Sequence, residues 1–347
     1  MRAYLLVATL LSFVLLPPAL RAPVFAQEAP SPEGPPPASD APAQPMDDNP
    51  AATINVQVNL VNLYFSARDK NGFITNLRKD DCAVAEDKAP QTIKNFTQEK
   101  TLPLTIGILL DTSGSQMNVL PLEKESGATF LRDVLTPKDE AFLISFDINV
   151  DLLADYTNRA SEIKRALDKA SINTGAGTGS ITGNGDPRGT LLFDAVYTAA
   201  DEKLRMEAGR KVLVLLTDGG DQGSQETLKN AIEAAQKADA IVYVILIADH
   251  GFYGGGFNLA DSGARDMNQL ATETGGRMIN VGNNGKKLED AFNQIQDELR
   301  TQYLLSYTPT NKKADGTFRK LELNCGKNLK IQTRKGYYAQ SSADAGN

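Results

Sequence analysis

The chain has 347 residues, which is enough for one large α/β domain and a second, smaller domain. Hydrophobic residues make up 41% of the sequence and charged residues 23%, as is typical of a folded, soluble protein. The net charge is −7, and it becomes −9 if residues 1–26, which contain Arg2 and Arg21 and no acidic residue, are removed. This acidic balance argues against nucleic acid or an anionic membrane surface as the partner.

The N-terminus has the pattern of a secretory signal peptide, which we place at residues 1–26. Arg2 precedes an apolar stretch that two prolines interrupt, and a small-residue cleavage motif ends at Ala26. The stretch is short for a membrane span, although an uncleaved anchor is the alternative, and no later stretch could cross a bilayer. We therefore expect a secreted or periplasmic protein, cleaved after Ala26, with a disordered Pro- and Ala-rich linker over residues 27–52.

Alternating apolar and polar residues predict β-strands on both sides of the central part of the chain. Residues 53–99 contain short strand patterns separated by turn signals such as Asn71-Gly72. The β pattern returns over residues 303–340, before a disordered tail at 341–347. A module of roughly 45 residues is marginal as an independent fold. We therefore expect the C-terminal strands to complete a small β-sandwich-like subdomain with the N-terminal ones.

Between these segments, residues 102–302 alternate strands and helices. Apolar runs predict strands, and the segments between them have the periodicity of amphipathic helices. The predicted strands are 104–110, 141–146, 150–153, 212–216, 241–248 and 278–281, and the predicted helices are 120–135, 161–170, 191–206, 227–238, 264–274 and 288–299. The pattern predicts an α/β fold, a doubly wound, mostly parallel six-stranded sheet with helices on both faces. The second and third strands are too closely connected for a parallel crossover, so they form an antiparallel hairpin at one edge.

Oxygen-bearing side chains follow the first of these strands at alternate positions. Asp111, Ser113 and Ser115 come directly after the strand, which its apolar run predicts to be buried on both faces. Gly114 allows a sharp turn, so the three side chains can converge just beyond the carboxyl end of the strand, where open α/β sheets bind ligands. One carboxylate and two hydroxyls are hard donors that suit Mg²⁺, Ca²⁺ or Mn²⁺.

Two further loops carry matching chemistry. Asp218 follows the strand at 212–216, and Thr190 precedes the helix at 191–206. Each has a simpler interpretation when taken alone, since Asp is common in turns and Thr190 could be the N-cap of its helix. If the strand at 212–216 neighbours the one at 104–110, Asp218 faces the first aspartate across a crevice. The three loops together predict one divalent cation site formed by Asp111, Ser113, Ser115, Thr190 and Asp218.

These motifs resemble those of a known family. DTSGS at 111–115, Thr190 in GTLLFDA and Asp218 in LLTDGG are similar to the metal-ion-dependent adhesion site of von Willebrand factor type A domains, with all five positions filled. The flanking β segments resemble those of the von Willebrand A-related proteins of Acidobacteria. The resemblance implies a Rossmann-like von Willebrand A fold. It also implies that the two serines bind the cation directly, the threonine directly or through water, and the two aspartates largely through water.

The sequence contains two cysteines, Cys82 and Cys325, both within predicted β segments. The oxidising compartment that a signal peptide implies permits a disulfide between them. Each could equally be a small buried hydrophobic residue, since the sequence does not show whether their Cβ atoms come within about 4 Å. Cys82 also departs from the resembling family, in which a large apolar residue such as Phe is expected there.

The sequence favours a binding module and not an enzyme. The leading hypothesis is a secreted or periplasmic adhesion or scaffold module that binds an Asp or Glu side chain of a protein partner through one divalent cation, Mg²⁺ or else Ca²⁺ or Mn²⁺. A second hypothesis is a Mg²⁺-dependent phosphohydrolase that uses Asp111, although Ser113 stands where such enzymes carry a general acid–base Asp. A third is a purely structural domain, which is less favoured because no ligand position is substituted. The sequence leaves the oligomeric state open.

Overall fold

The computed structural model of the chain describes residues 60–173, 189–247 and 257–339. Three predicted segments lie outside these ranges: the signal peptide at 1–26, the linker at 27–52 and the tail at 341–347. All described residues belong to one compact unit, Val56–Asn347. Within the described ranges, no helix combines the length and the hydrophobicity that crossing a membrane requires.

Strands flank a central region in which strands and helices alternate. The first four strands are β1 (Val61–Arg68), β2 (Cys82–Glu86), β3 (Ala89–Gln91) and β4 (Ile93–Gln98). The central elements are β5 (Leu104–Asp111), α1 (Leu120–Val134), β6 (Glu140–Phe146), β7 (Val150–Thr157), α2 (Ala160–Lys169), α3 (Leu192–Thr198), β8 (Arg210–Thr217), α4 (Leu228–Lys237), β9 (Ala240–Leu246), α5 (Phe257–Thr274), β10 (Met278–Asn280) and α6 (Gly285–Thr301). The last four strands are β11 (Tyr303–Tyr307), β12 (Phe318–Cys325), β13 (Lys330–Thr333) and β14 (Gly336–Tyr338).

The central sheet has six strands in the order β10-β9-β8-β5-β6-β7. All neighbouring pairs are parallel except β6 and β7, which form an antiparallel pair at one edge. This arrangement confirms the predicted fold class and the predicted edge hairpin. It also places β8 beside β5, as the candidate cation site requires.

Hydrophobic clusters cover both faces of the central sheet. Side chains alternate along β5, so Ile106 and Ile108 pack with α1, α2 and α6, whereas Leu109 packs on the other face with α3, α4 and α5. Every residue of β5 is consequently buried. The continuous apolar run at this strand therefore reflects burial on two faces, as expected from the sequence.

Three helices differ in extent from the sequence prediction. α5 begins at Phe257, whereas the predicted helix begins at residue 264. The predicted helix at 288–299 begins earlier, because the side chain of Asn284 accepts a hydrogen bond from the backbone N–H of Lys287 at 3.0 Å and so caps α6. The predicted helix at 191–206 is α-helical only over α3 and continues as a wider π-helical segment, Ala199–Leu204. Apolar periodicity reports the buried face of a helix but does not detect its capping residues or its hydrogen-bond register.

Strands from the two ends of the chain combine into two four-stranded sheets, which we call the β subdomain. One sheet has the order β13-β1-β11-β4 and the other β14-β12-β2-β3. β1 pairs antiparallel with β11, and β2 pairs antiparallel with β12, so each sheet needs strands from both ends. A separate hydrophobic cluster lies within the β subdomain and contains the stacked rings of Phe65 and Tyr303. The antiparallel strands expected at both ends of the central region are therefore present.

A buried carboxylate joins the β subdomain to the central sheet. Glu298 of α6 accepts hydrogen bonds from Ser66 in β1 at 3.1 Å, from Tyr243 in β9 at 2.9 Å and from Gln332 in β13 at 2.7 Å. Its other oxygen lies 3.1 Å from the guanidinium of Arg277. Moving the β subdomain away from the sheet would leave the buried carboxylate of Glu298 without some of these partners, which is costly. The contacts therefore hold the β subdomain in place on the sheet.

A disulfide joins the two cysteines within the β subdomain. Cys82 and Cys325 lie directly opposite each other in the β2–β12 pair, with their Cα atoms 4.0 Å apart. The bond connects residues separated by 243 positions in the sequence. It therefore ties the N-terminal strands to the C-terminal strands covalently.

We expect the double variant Cys82→Ala/Cys325→Ala to fold but to unfold at a lower temperature. Removing a bond that spans 243 positions restores conformational freedom to the unfolded chain, and the expected loss of stability is about 2–5 kcal/mol. Circular dichroism melting curves of the variant and of the wild type with and without a reductant would measure it. Identical midpoints in all three samples would contradict a stabilising role for the disulfide.

Candidate metal centre

The DTSGS segment turns sharply where β5 ends. Ser113 lies at the start of a short helical turn, Gly114–Gln116, and its backbone carbonyl accepts a hydrogen bond from Gln116 N at 3.0 Å. The turn brings the hydroxyl oxygens of Ser113 and Ser115 to 3.1 Å from each other. Two of the predicted ligands therefore lie side by side, as the alternate spacing and Gly114 predict.

Asp111 is fully buried and connects two neighbouring strands. One carboxylate oxygen accepts a hydrogen bond from the backbone N–H of Ser113 at 3.0 Å. The other accepts a hydrogen bond from the hydroxyl of Thr217, the last residue of β8, at 2.7 Å. Asp111 thus holds the serine turn and the end of β8 together.

The loop after β8 carries Asp218 and turns through two glycines. Gly219 has a φ of +86°, a conformation that L side chains rarely adopt. A Cβ atom at Gly219 would also lie only 3.0 Å from the backbone of Gly263 in α5. One carboxylate oxygen of Asp218 accepts a hydrogen bond from Gly220 N at 3.1 Å, which orients the side chain within this tight turn.

Thr190 pairs with the Asp218 loop through its backbone. Thr190 N donates to the carbonyl of Gln222 at 3.0 Å, and Gln222 N donates to the carbonyl of Thr190 at 2.9 Å. The N-cap residue of α3 is Leu191, so Thr190 does not cap the helix. The first turn of α3 instead receives its acceptors from Asp221 and Ser224. The simple capping interpretation of Thr190 is therefore wrong.

Asp147, which follows β6, braces the same group of loops. Its carboxylate accepts hydrogen bonds from the Thr112 hydroxyl at 2.8 Å and from the Asn173 side chain at 3.1 Å. Its backbone carbonyl accepts a hydrogen bond from Leu191 N at 2.8 Å. The serine turn is consequently linked to the Thr190 loop as well as to β8.

Sequence analysis did not identify Asp147 or Thr217 as part of this site. Both are polar residues at the carboxyl ends of predicted strands, which is the signal that could have identified them. Their roles depend on which strands are neighbours. That information is absent from the spacing of residues along the chain.

The electrostatics of the site disfavour two ionised aspartates in the absence of a cation. Burial, and next the negative charge of Asp218, raise the pKa of Asp111 to about 7, although hydrogen bonds from Ser113 and Thr217 act in the opposite direction. A positive charge at this place would relieve the repulsion and favour the ionised form.

The side chains present fit a hard divalent cation. Within the described ranges, no group of three or more His, Cys, Asp or Glu side chains could hold a metal by itself. The predicted site adds the hydroxyls of Ser113, Ser115 and Thr190 to its two carboxylates, and a set of such oxygen donors suits Mg²⁺, Ca²⁺ or Mn²⁺. Two buried polar side chains beside this group, Gln116 and Glu123, have no hydrogen-bond partner among the described residues.

In the presence of a chelator, we expect the wild-type protein to lose stability as the pH rises from 3.8, the ordinary pKa of Asp, through about 7. The folded protein keeps a proton on Asp111 in this window that the unfolded chain has released, so folding is favoured below the window and the advantage is lost above it. The variant Asp111→Asn should lack this component. Thermal midpoints measured in EDTA at intervals of pH would test the difference, and parallel profiles for the two proteins would exclude it.

The sequence was compared with protein families and with known proteins. Residues 106–294 match the von Willebrand factor type A domain family. The inter-alpha-trypsin inhibitor heavy chain H4 of Bos taurus is 25% identical over 222 residues, which cover 61% of this chain and 22% of that relative. The chain thus spans about a fifth of that relative's length.

Similar folds occur among solved structures. The BatB protein of Bacteroides thetaiotaomicron matches with 17% identity and a TM-score of 0.43, covering 57% of this chain and 99% of that chain. The von Willebrand domain of the type V pilus tip protein Mfa5 of Porphyromonas gingivalis matches with 14% identity and a TM-score of 0.44, covering 58% and 96%. Proximal thread matrix protein 1 of the mussel byssus, with zinc at its adhesion site, matches with 17% identity and a TM-score of 0.45, covering 60% and 48%. The family match at residues 106–294 covers more than half of the 347 residues of this chain. The chain therefore belongs to the von Willebrand factor type A domain family.

Proposed function

We propose that this protein is a secreted or periplasmic module that binds an acidic side chain of a protein partner through a divalent cation. Domains of its family typically mediate protein–protein interaction and are generally non-enzymatic adhesion modules. Those that have a metal-ion-dependent adhesion site bind a divalent cation there. The proposal assigns such a site to this chain, with Mg²⁺ as the first candidate and Ca²⁺ or Mn²⁺ as alternatives.

One observation carries the proposal: hydrogen bonds connect the three loops with the candidate ligands at the carboxyl ends of the parallel strands. Asp111 bonds to Thr217, the residue before Asp218, and Thr190 pairs with Gln222 in the loop that carries Asp218. Turn-forming residues that act alone would not need these connections between loops. We assign direct ligation to Ser113 and Ser115, ligation directly or through water to Thr190, and contacts largely through water to the two aspartates.

The donor set also suggests what the partner supplies. Hydroxyl ligands are neutral, so they compensate the charge of a divalent cation less than carboxylates would. A cation held in this way attracts a further anionic ligand, and an Asp or Glu side chain of a partner protein provides a hard carboxylate of the right kind. The acidic charge of the chain disfavours nucleic acid as an alternative partner.

The proposed location outside the cytoplasm rests on the N-terminal sequence, and the disulfide supports it. Disulfides persist in oxidising compartments and are rare in the cytosol. The Cys82–Cys325 bond joins an N-terminal strand to a C-terminal strand within the β subdomain, so an oxidising environment would stabilise the fold.

We expect the double variant Ser113→Ala/Ser115→Ala to lose Mn²⁺ binding in isothermal titration calorimetry while it keeps its fold. The variant removes two hydroxyl ligands but no charge, so its melting midpoint in EDTA should remain close to that of the wild type. The matched control is Ser306→Ala, which removes a buried serine hydroxyl in the β subdomain and should keep wild-type Mn²⁺ affinity. Equal Mn²⁺ binding by all three proteins would refute the assignment of the serines.

The acidic partner can be tested with two matched peptide libraries, one with a fixed Asp and one with Asn in its place. The wild type should enrich the Asp library in Mn²⁺ and not in EDTA, and the double serine variant should enrich neither. Equal enrichment of both libraries would refute carboxylate recognition. Release of phosphate from an aryl phosphate by the wild type, abolished in Asp111→Asn, would instead favour a phosphohydrolase.

A further inference from the structure

Two polar side chains that follow Ser115 in the chain are buried, one at the end of the serine turn and one in the first turn of α1. Gln116 and Glu123 are both fully inaccessible to solvent. Neither end of the Gln116 amide and neither oxygen of the Glu123 carboxylate has a hydrogen-bond partner among the described residues. Burying such groups without partners costs free energy, most of all for a carboxylate. Hydrophobic packing therefore does not account for their presence.

The backbone connects both residues closely to the proposed ligands. Gln116 N donates to the carbonyl of Ser113 at 3.0 Å, Val119 N donates to the carbonyl of Gln116 at 3.0 Å, and Glu123 N donates to the carbonyl of Val119 at 3.1 Å. Successive hydrogen-bonded turns thus lead from the serine turn to the first turn of α1. Their geometry keeps Glu123 at a fixed position relative to Ser113.

Glu123 occupies a position that the helix would otherwise give to an apolar residue. It lies on the buried face of α1, together with Leu120, Phe130 and Leu131. A carboxylate in the first turn of a helix gains from the helix dipole, but typically by only about 0.3–1 kcal/mol, which is less than the cost of burying it unpaired. Either a proton on the carboxyl group or a nearby cation could offset this cost.

The charges that act on Glu123 come from the candidate metal centre. Besides burial, which is the largest cause, the carboxylates of Asp111 and Asp218 raise the pKa of Glu123 well above its ordinary value. Three acidic side chains therefore share one buried region. The contrast with Glu298 is informative, since that equally buried glutamate is paired with Arg277 and accepts three hydrogen bonds.

We propose that Glu123, with Gln116 beside it, forms an inner layer of the cation site that raises the affinity of the site for a divalent cation before any partner binds. This inference rests on the proposed function and deepens it. Since no three acidic side chains in the described ranges could hold a metal together, Glu123 acts from outside the set of direct ligands, as a positioning residue. A cation at the site favours the ionised form of Glu123, whose negative charge then attracts the cation in return, and the amide of Gln116, one residue after Ser115, offers an unpartnered donor and acceptor.

The test is the nearly isosteric variant Glu123→Gln, which removes the charge and keeps the volume. We expect its Mn²⁺ affinity in isothermal titration calorimetry to fall by about 10- to 100-fold, as is typical when a group supporting a metal ligand is lost. Its melting midpoint in EDTA should not fall below that of the wild type, because the carboxylate has no partner to lose among the described residues. A purely structural role would lower the midpoint and leave Mn²⁺ affinity unchanged.

The matched control is Glu298→Gln, which changes an equally buried glutamate far from the site. It should bind Mn²⁺ like the wild type but melt at a lower temperature, because it loses the ion pair with Arg277. Wild-type Mn²⁺ affinity in Glu123→Gln would overturn the inference and leave the proposed function intact. Absence of Mn²⁺ binding by the wild type itself would overturn the proposed function.

A second variant keeps the test decisive if Glu123→Gln does not fold. Gln116→Leu removes the unpartnered amide at a similar volume, and we expect it to weaken Mn²⁺ binding without lowering the melting midpoint in EDTA. Wild-type Mn²⁺ affinity in Gln116→Leu, with Glu123→Gln unfolded, would then overturn the inner layer.

Discussion

The parallel pairing of β5 with β8 is the constraint on which the candidate site depends. It brings the end of β8 beside the end of β5, where the Thr217 hydroxyl reaches the buried carboxylate of Asp111 at 2.7 Å. The residues after these two strands are therefore forced into one crevice. Helices on both faces of the sheet make this pairing robust, because each strand buries apolar side chains in two separate clusters. The polar chemistry is thus positioned by hydrophobic burial that is independent of it.

The β subdomain enters the structure from the other end of the same strand. β4 leads into β5 at Leu104, whereas the candidate ligands follow Asp111 at the opposite end, roughly 23 Å away for a strand of this length. Glu298 and the disulfide fix the strands of the two chain ends to each other and to the sheet. The contacts with the β subdomain thus lie toward the amino ends of the parallel strands, and the polar site lies at their carboxyl ends.

Sequence patterns were sufficient for the fold because burial leaves a periodic trace. The apolar run before Asp111 indicated a strand covered on both faces, and β–α alternation indicated a parallel sheet. The candidate ligands could be predicted for a related reason, since their meaning comes from their position after a strand. Thr217 and Asp147 have the same position after a strand, but their partners, Asp111 and Thr112, follow from the neighbouring of strands and not from spacing along the chain. The pairing of Cys82 with Cys325 likewise depends on the register between β2 and β12, which bridges 243 positions.

Glu123 is a residue whose unusual position is visible in the sequence but whose neighbours are known only from the structure. Its place in the apolar stripe of α1, three positions after Leu120, is visible in the sequence as a charge where a hydrophobic residue is expected. The structure adds that the charges acting on it are those of Asp111 and Asp218, so like charges are gathered where burial already disfavours them. Three acidic side chains, Glu123, Asp111 and Asp218, therefore repel one another within the same part of the molecule. Without a cation the repulsion is relieved by protons on these carboxyl groups, whereas a bound cation would stabilise their ionised forms, and this ties the charge state of the site to the cation that it is proposed to hold.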